Sequence, residues 1–247
     1  MVDLDPNTTP YYQLPLLGFD TETDGVDVKN NHIITCNITY SMLDASFVKN
    51  DWLIKPQAPI PQGASDVHGI TTEYAQTYGM EPREALQSIH DHLAAWQAHG
   101  LPIVAYNAAY DCSILTYEWA RHGIESQVRF DRVIDPFVLD RVAFPYRKGT
   151  GARKLGKIAE FYGVDLENAH AADADVEAVL WIARLMPRFF PREKLDLMVD
   201  VDTLHARQVE WKSQQAAELQ KYFRGKGGKP EAIVNGEWPV IYGETGN

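Results

Sequence analysis

The run LPLLGFDTET, residues 14–23, does more than any other to limit what this chain can fold into. The apolar stretch Leu14 to Asp20 predicts a buried strand. Strand periodicity then sends Asp20 and Glu22, two residues apart, out of the same face. Carboxylates side by side at the edge of a buried sheet repel one another, and a divalent cation between them removes that cost. Mg²⁺ and Mn²⁺ suit the position, because hard ions prefer oxygen ligands. Acids that follow a strand are more often solvated caps, so the pair gains meaning only in company.

Around it, strands and helices alternate. Ile33 to Tyr40 (IITCNITY) and Phe47 to Ile54 read as two further strands of a meander. Glu81 to His99 reads as a helix, with Pro82 in its first turn and Gly100 behind it. Leu86, Ile89, Leu93 and Trp96 recur along it at helical spacing. Pro102 to Tyr106 is a compact strand, Asp111 to His122 a helix, Val133-Ile134 a short strand, and Asp135-Pro136 the start of the next helix. Leu155, Ile158, Ala159 and Tyr162 mark a helix closed by Gly163, and Val176, Val179, Leu180 and Ala183 mark one that Pro187 is expected to stop. This order implies an α/β domain, residues 1–190, with a mixed β-sheet flanked by helices. Residues 191–247 form a C-terminal extension. In it Thr203 to Phe223 reads as a long polar helix, and Asn235-Gly236 as the turn of a hairpin within Ala232 to Ile241.

A net charge of −11 excludes a general polyanion binder. The charge is uneven, however. Residues 1–140 carry 7 basic and 19 acidic side chains, residues 141–247 carry 16 and 15. Arg141 to Ala159 contains Arg141, Arg147, Lys148, Arg153, Lys154 and Lys157 and no acid. This is either a solvated loop or a local phosphate contact, which takes a basic patch and not a basic protein. No run approaches the ~18 apolar residues of a membrane span, and Met1 to Pro10 lacks the order of a signal peptide. Cys36 and Cys112 form no CxxC pair, so a cytoplasmic protein with two reduced core cysteines is expected.

Two more groups bear chemistry. Asp111 follows the second apolar strand and the small-residue turn Asn107-Ala108-Ala109, where it either caps a helix or lines a site beyond the strand end. His170 and Asp175 lie in HAADAD, where small residues let a backbone approach a ligand. Asp24 and Asp173 occupy the same neighbourhoods, and spacing alone does not separate them from the rest. Four carboxylates and a histidine at strand and helix ends suit two-metal hydrolysis of a phosphodiester, with the histidine taking a proton from water.

In these motifs the sequence resembles the DEDDh 3′–5′ exonucleases, the DnaQ-like group. It includes the epsilon proofreading subunit of bacterial DNA polymerase III, ribonuclease T and oligoribonuclease. FDTET matches the strand–DxE motif, YNAAYD the Asn-x-x-x-Asp motif, and His170 to Asp175 the His-x-x-x-x-Asp motif. Val67-His68-Gly69-Ile70-Thr71, Ile134-Asp135-Pro136 and LGKIAEFYGV are similar to the family's intermediate landmarks, and the likeness runs from Leu14 to Met186. The resemblance implies an RNase H-like fold and two divalent ions, Mg²⁺ or Mn²⁺. In it Asp20 bridges both ions, Glu22 and Asp175 hold the one that carries the nucleophile, Asp111 serves the second, and His170 is the base. Asp24 and Asp173 fall outside the pattern. Thr23, His68 and Asn107 become substrate contacts, and Arg147, Lys148, Arg153 and Lys154 contacts to phosphates. The implied substrate is single-stranded nucleic acid with a free 3′ end, DNA before RNA, with a DNA polymerase as a conceivable partner and no membrane. The alternatives are an exoribonuclease that trims RNA and a non-catalytic binding or assembly module on this fold. A module of that kind is expected to lose acids from the set, and here all five positions are intact.

Overall fold

A computed structural model of the chain describes residues 4–44, 46–165, 172–190 and 196–243, with backbone alone at 172 and 173. Three long strands, β1 (Leu16–Thr23), β2 (Ile33–Ser41) and β3 (Phe47–Leu53), form the antiparallel meander. Two short ones, β4 (Ile103–Val104) and β5 (Val133–Ile134), run parallel to β1 and complete a mixed sheet in the order β3-β2-β1-β4-β5. The helices are α1 (Gln62–His68), α2 (Thr72–Tyr78), α3 (Pro82–Ala98), α4 (Ala109–Arg121), α5 (Pro136–Ala143), α6 (Leu155–Tyr162), α7 (Ala172–Phe189) and α8 (Val201–Arg224). This is the mixed sheet flanked by helices expected of an RNase H-like α/β fold.

Alternation along β1 sorts the core into two layers. Leu17 and Phe19 join the cluster made with Leu86, Ile89 and Leu93 of α3 and Cys112, Ile114 and Leu115 of α4. Leu16 faces the other way, into the cluster of Leu139, Ile158, Val176, Leu180 and Ile182. Gly18 shares that second face, and there it is the absence of a side chain that matters. A Cβ at Gly18 would stand 2.7 Å from Val176 Cγ1 and 2.9 Å from Leu180 Cγ. Glycine therefore lets α7 lie directly on β1. Both cysteines are free and buried. Among the described residues, no helix is long and apolar enough to cross a membrane.

The extension packs into the same layers. Val201 and Leu204 of α8 enter the second cluster, and Trp238 and Val240 the first. The hairpin expected at Asn235-Gly236 is not formed, and residues 196–243 contain no strand. Side chains take the hydrogen bonds that a partner strand would have taken. Gln220 Oε1 accepts from Val234 N–H, Arg224 Nε donates to the Ala232 carbonyl, and Asn235 Oδ1 accepts from Glu237 N–H. Gly236 is pressed against α8, where a Cβ would lie 3.1 Å from that of Ala216.

Pro187 does not stop α7, which continues to Phe189 with the proline inside it. A proline at this position leaves the carbonyl four residues earlier without its helical donor. That carbonyl belongs to Ala183, and the buried Tyr11 hydroxyl donates to it at 2.8 Å.

Candidate active site

The site gathers where β1 outlasts its neighbour. β4 pairs with β1 only at Leu17 and Gly18, after which the chain leaves for α4. β1 continues to Thr23, carrying Asp20 and Glu22 past the end of β4. Asp111 closes that gap. It does not cap α4, which begins at Ala109 with Ala108 as its N-terminal boundary. Its carboxylate turns to β1 instead, and Oδ1 accepts from the backbone N–H and the hydroxyl of Thr21.

The turn before α4 is set by a second buried acid. Asp135 caps α5 by accepting from Phe137 N–H, and the same carboxylate accepts from the N–H groups of Asn107 and Ala108, each at 3.0 Å. Asn107 is thereby held at a left-handed φ of 60°, a conformation asparagine tolerates better than most residues. Its side chain is left exposed.

Electrostatics shows which acids meet. Burial pushes the Asp20 carboxyl well above its usual range, and the charges of Asp111, Glu22 and Asp175 raise it further. Asp111 is pushed up to about 7, mainly by burial, against the two hydrogen bonds from Thr21 that favour its charged form. Asp175 lies on α7 next to Val176, the residue that Gly18 admits against β1. Asp20 thus feels the charges of three other carboxylates, carried by β1, α4 and α7. Among the described residues they do not close into a ready-made cage, since no three His, Cys, Asp or Glu side chains stand close enough to hold an ion. The donor set still fits a hard divalent cation. It is all oxygen, and its own repulsion opposes ionisation until a positive charge arrives.

His170 lies outside the described residues, as does the side chain of Asp173. Asp24 has a different task. It is buried, and it closes the loop after β1 by accepting from His32 N–H at 2.8 Å. Thr23 and His68 stand together at the rim. The half-buried His68 ring has its pKa lowered by burial, while a contact with the Thr23 backbone works the other way. Its Nδ1 accepts from Ile70 N–H. Tyr110 is the rim residue that the sequence reading missed. Its hydroxyl meets Thr23 Oγ1 and the Gly25 carbonyl, each at 2.6 Å. Burial, with the charges of Asp111, Asp24 and Glu22 behind it, pushes that phenol up to about 12 although the Thr23 hydroxyl opposes the shift. Its place beside Asp111 in YNAAYD was the available signal.

The basic loop divides in two. Arg147 forks onto Asp140 through Nη2 at 2.7 Å and Nε at 3.1 Å, and Arg153 Nε approaches the same fully buried carboxylate at 3.3 Å. Arg147 also lies over the Phe161 ring at 4.1 Å. Lys148 and Lys154 are exposed. The Tyr106 hydroxyl donates to the Arg153 carbonyl at 2.7 Å, which ties the loop to the segment just before Asn107.

The exonuclease family model RNase_T matches residues 17–183. A DNA polymerase III of PolC type from Streptococcus suis is 30% identical over 161 residues, 65% of this chain and 10% of the polymerase. The corresponding polymerase of Streptococcus mutans is 29% identical over 179 residues, 72% of this chain and 11% of its own length. The chain therefore spans about a tenth of these relatives. Among solved structures, E. coli exonuclease I in complex with a dA16 oligonucleotide superposes with a TM-score of 0.62 at 20% identity, over 73% of this chain and 42% of that one. Exonuclease I from Methylocaldum szegediense gives 0.58 at 20% identity, over 85% of this chain and 46% of that one.

Proposed function

The chain belongs to the RNase_T exonuclease family, and on that footing we propose that it is a metal-dependent 3′–5′ exonuclease acting on single-stranded DNA. One observation carries the reading: Asp20 stands among the charges of Asp111, Glu22 and Asp175, brought together from three elements. Asp20, Glu22, Asp111 and Asp175 would hold two ions, Mg²⁺ or Mn²⁺. Such ions, when bound, acidify a water and stabilise the charge on the leaving oxygen. The chain's own groups do the rest. His170 takes the water's proton at a ring nitrogen; the water oxygen bonds to phosphorus, the bond from phosphorus to O3′ breaks, O3′ takes up a proton from solvent, and a nucleoside 5′-monophosphate leaves. Thr23, His68 and Asn107, at the rim, orient the terminal nucleotide. Lys148 and Lys154 meet upstream phosphates, while Arg147 and Arg153 shape the loop that presents them. Residues 1–190 make the exonuclease domain and 191–247 its extension.

The preference for DNA is supported by the DNA polymerases among the relatives and by the oligonucleotide complexes among the structural neighbours. The PolC similarity also supports action at a primer end produced by a DNA polymerase. Matched 5′-labelled DNA and RNA oligonucleotides, incubated with Mg²⁺, Mn²⁺ or EDTA, test the reading in one gel. A ladder shortening from the 3′ end of DNA, abolished by EDTA, is expected. Faster loss of the RNA would make the enzyme an exoribonuclease, and intact strands in every lane would leave a binding module.

A further inference from the structure

The segment 232–243 lies outside the stretch that matches the exonuclease family, yet its hydrogen bonds converge on one carboxylate's support. Trp238, 6% exposed, donates from Nε1 to Asp135 Oδ2 at 3.3 Å. The same oxygen accepts from Ala108 N–H, and its twin accepts from Asn107 N–H and Phe137 N–H. Three positions on, Ile241 N–H donates to Ser113 Oγ at 2.8 Å, and the Tyr117 hydroxyl donates to the Ile241 carbonyl at 3.0 Å. Ser113 and Tyr117 lie on α4, one half-turn and nearly two turns beyond Asp111. The turn before Asp111 and the helix after it are thus both gripped by one strap.

We propose that this strap is a positioning element for Asp111, with Trp238 acting through Asp135 and Ile241 acting through α4. The argument rests on the reading of Asp111 as a metal ligand. Placement matters because Asp111 Oδ1 is already committed to Thr21. Only the other oxygen is left to face Asp20, so a small rotation of α4 changes what it can reach. A shift of about 1 Å at a reacting centre commonly costs up to about 10²-fold in rate. Ordinary core packing would secure stability without touching α4's polar side chains. Here the strap's backbone is bonded to those side chains directly.

The test compares full-length Trp238→Phe and Tyr117→Phe with wild type and with Ile182→Val, a fully buried change in the core cluster that Trp238 and Val240 do not join. For each, kcat and KM on a single-stranded DNA oligonucleotide are measured per folded molecule. The metal-free Tm and its shift with Mn²⁺ are measured alongside. Trp238→Phe should lose about tenfold in kcat with KM within about twofold, and its Mn²⁺ shift should shrink. Tyr117→Phe, which removes one hydroxyl, should lose less in the same direction. Ile182→Val should lower Tm and leave kcat unchanged. An active wild type beside strap variants that keep kcat and the full Mn²⁺ shift overturns the proposal alone. If Trp238→Phe does not fold, the same outcome in Tyr117→Phe overturns it. A wild type that neither degrades the strand nor shifts with Mn²⁺ overturns the site reading, and the strap's role falls with it.

Discussion

Asp111 Oδ1 accepts both the backbone N–H and the hydroxyl of Thr21, at 3.1 and 2.6 Å. A carboxylate here does the work of the strand that β1 lacks beyond Val104, satisfying a main-chain donor that would otherwise be buried unpaired. The same contact holds a candidate ligand beside Asp20 before any ion is present.

That arrangement gives the metal-free protein a pH dependence opposite to the usual one for carboxylates. Asp111 is held at about 7 by burial, against about 3.9 in an unfolded chain. Its stabilising contribution is full below about pH 4, where both states keep the proton. It falls between about 4 and 7, as the unfolded state ionises and the native state resists, and it stays lost above. In EDTA, the difference in Tm between wild type and Asp111→Asn should therefore move against wild type from pH 5 to pH 7.5. Thr21→Val should steepen the trend by removing one of the bonds that favour the anion. A difference that stays constant with pH would refute this account.

Asp20→Asn and Asp175→Asn should each abolish turnover while leaving the fold intact. Both lift repulsion within the cluster, so metal-free stability should rise by about 0.5–2 kcal/mol. Mn²⁺ should raise the wild-type Tm, as a ligand of the native state does, and should raise neither variant equally. Thermal melts with and without Mn²⁺ decide the matter.

Gly18→Ala probes how Asp175 is delivered. Its Cβ would meet Val176 Cγ1 at 2.7 Å, so α7 must give way. Overpacking of this kind costs about 1–3 kcal/mol. The displacement should lower kcat by about tenfold or more. Adding Val176→Ala should recover part of the loss in kcat, because it removes one of the two opposing side chains, Leu180 being the other. Kinetics of the double variant no better than those of Gly18→Ala would show that the contact does not place Asp175.

The two kinds of basic residue in the loop should separate cleanly. Arg147→Ala leaves Asp140 buried with a lost partner, which should destabilise by about 3–5 kcal/mol. Lys148→Ala and Lys154→Ala should leave Tm unchanged. Each should reduce the salt slope of single-strand binding by about 0.7 per phosphate contact removed. Binding titrations across salt, paired with melts, read out both.

His170→Ala should cost about 10²–10⁴ in turnover, the range for a positioned base. The Mn²⁺ shift in Tm should survive, in contrast to Asp20→Asn. Equal loss of that shift would make His170 a ligand and leave the base to be found elsewhere.

Much of this was readable before any coordinates. A short apolar run located β1, a β-branched run located β2, and helical spacing located α6 to the residue. The acids were legible because strand period two is geometric and needs no partner. α1 and α2 were not, since seven residues hold too few turns to show a period. β4 read as five residues but pairs over two, because Asp111 displaces strand pairing further along β1. Arg147 and Arg153 read as free cations. Only tertiary packing reveals Asp140 buried beneath them. Asn235-Gly236 carries the local chemistry of a hairpin, but α8 and α4 offered its neighbours better hydrogen bonds.

Trp238 lies 103 residues downstream of the carboxylate it supports. At ribosomal speeds of about 5–20 residues per second, roughly 5–20 s separate the synthesis of the two. For the later part of that interval, once residue 175 has been made, a nascent chain carries Asp20, Glu22, Asp111 and Asp175 with α4 still ungripped. Affinity for divalent ions should accordingly mature late in biosynthesis, and a chain stalled before residue 232 should hold its acids without their final registration.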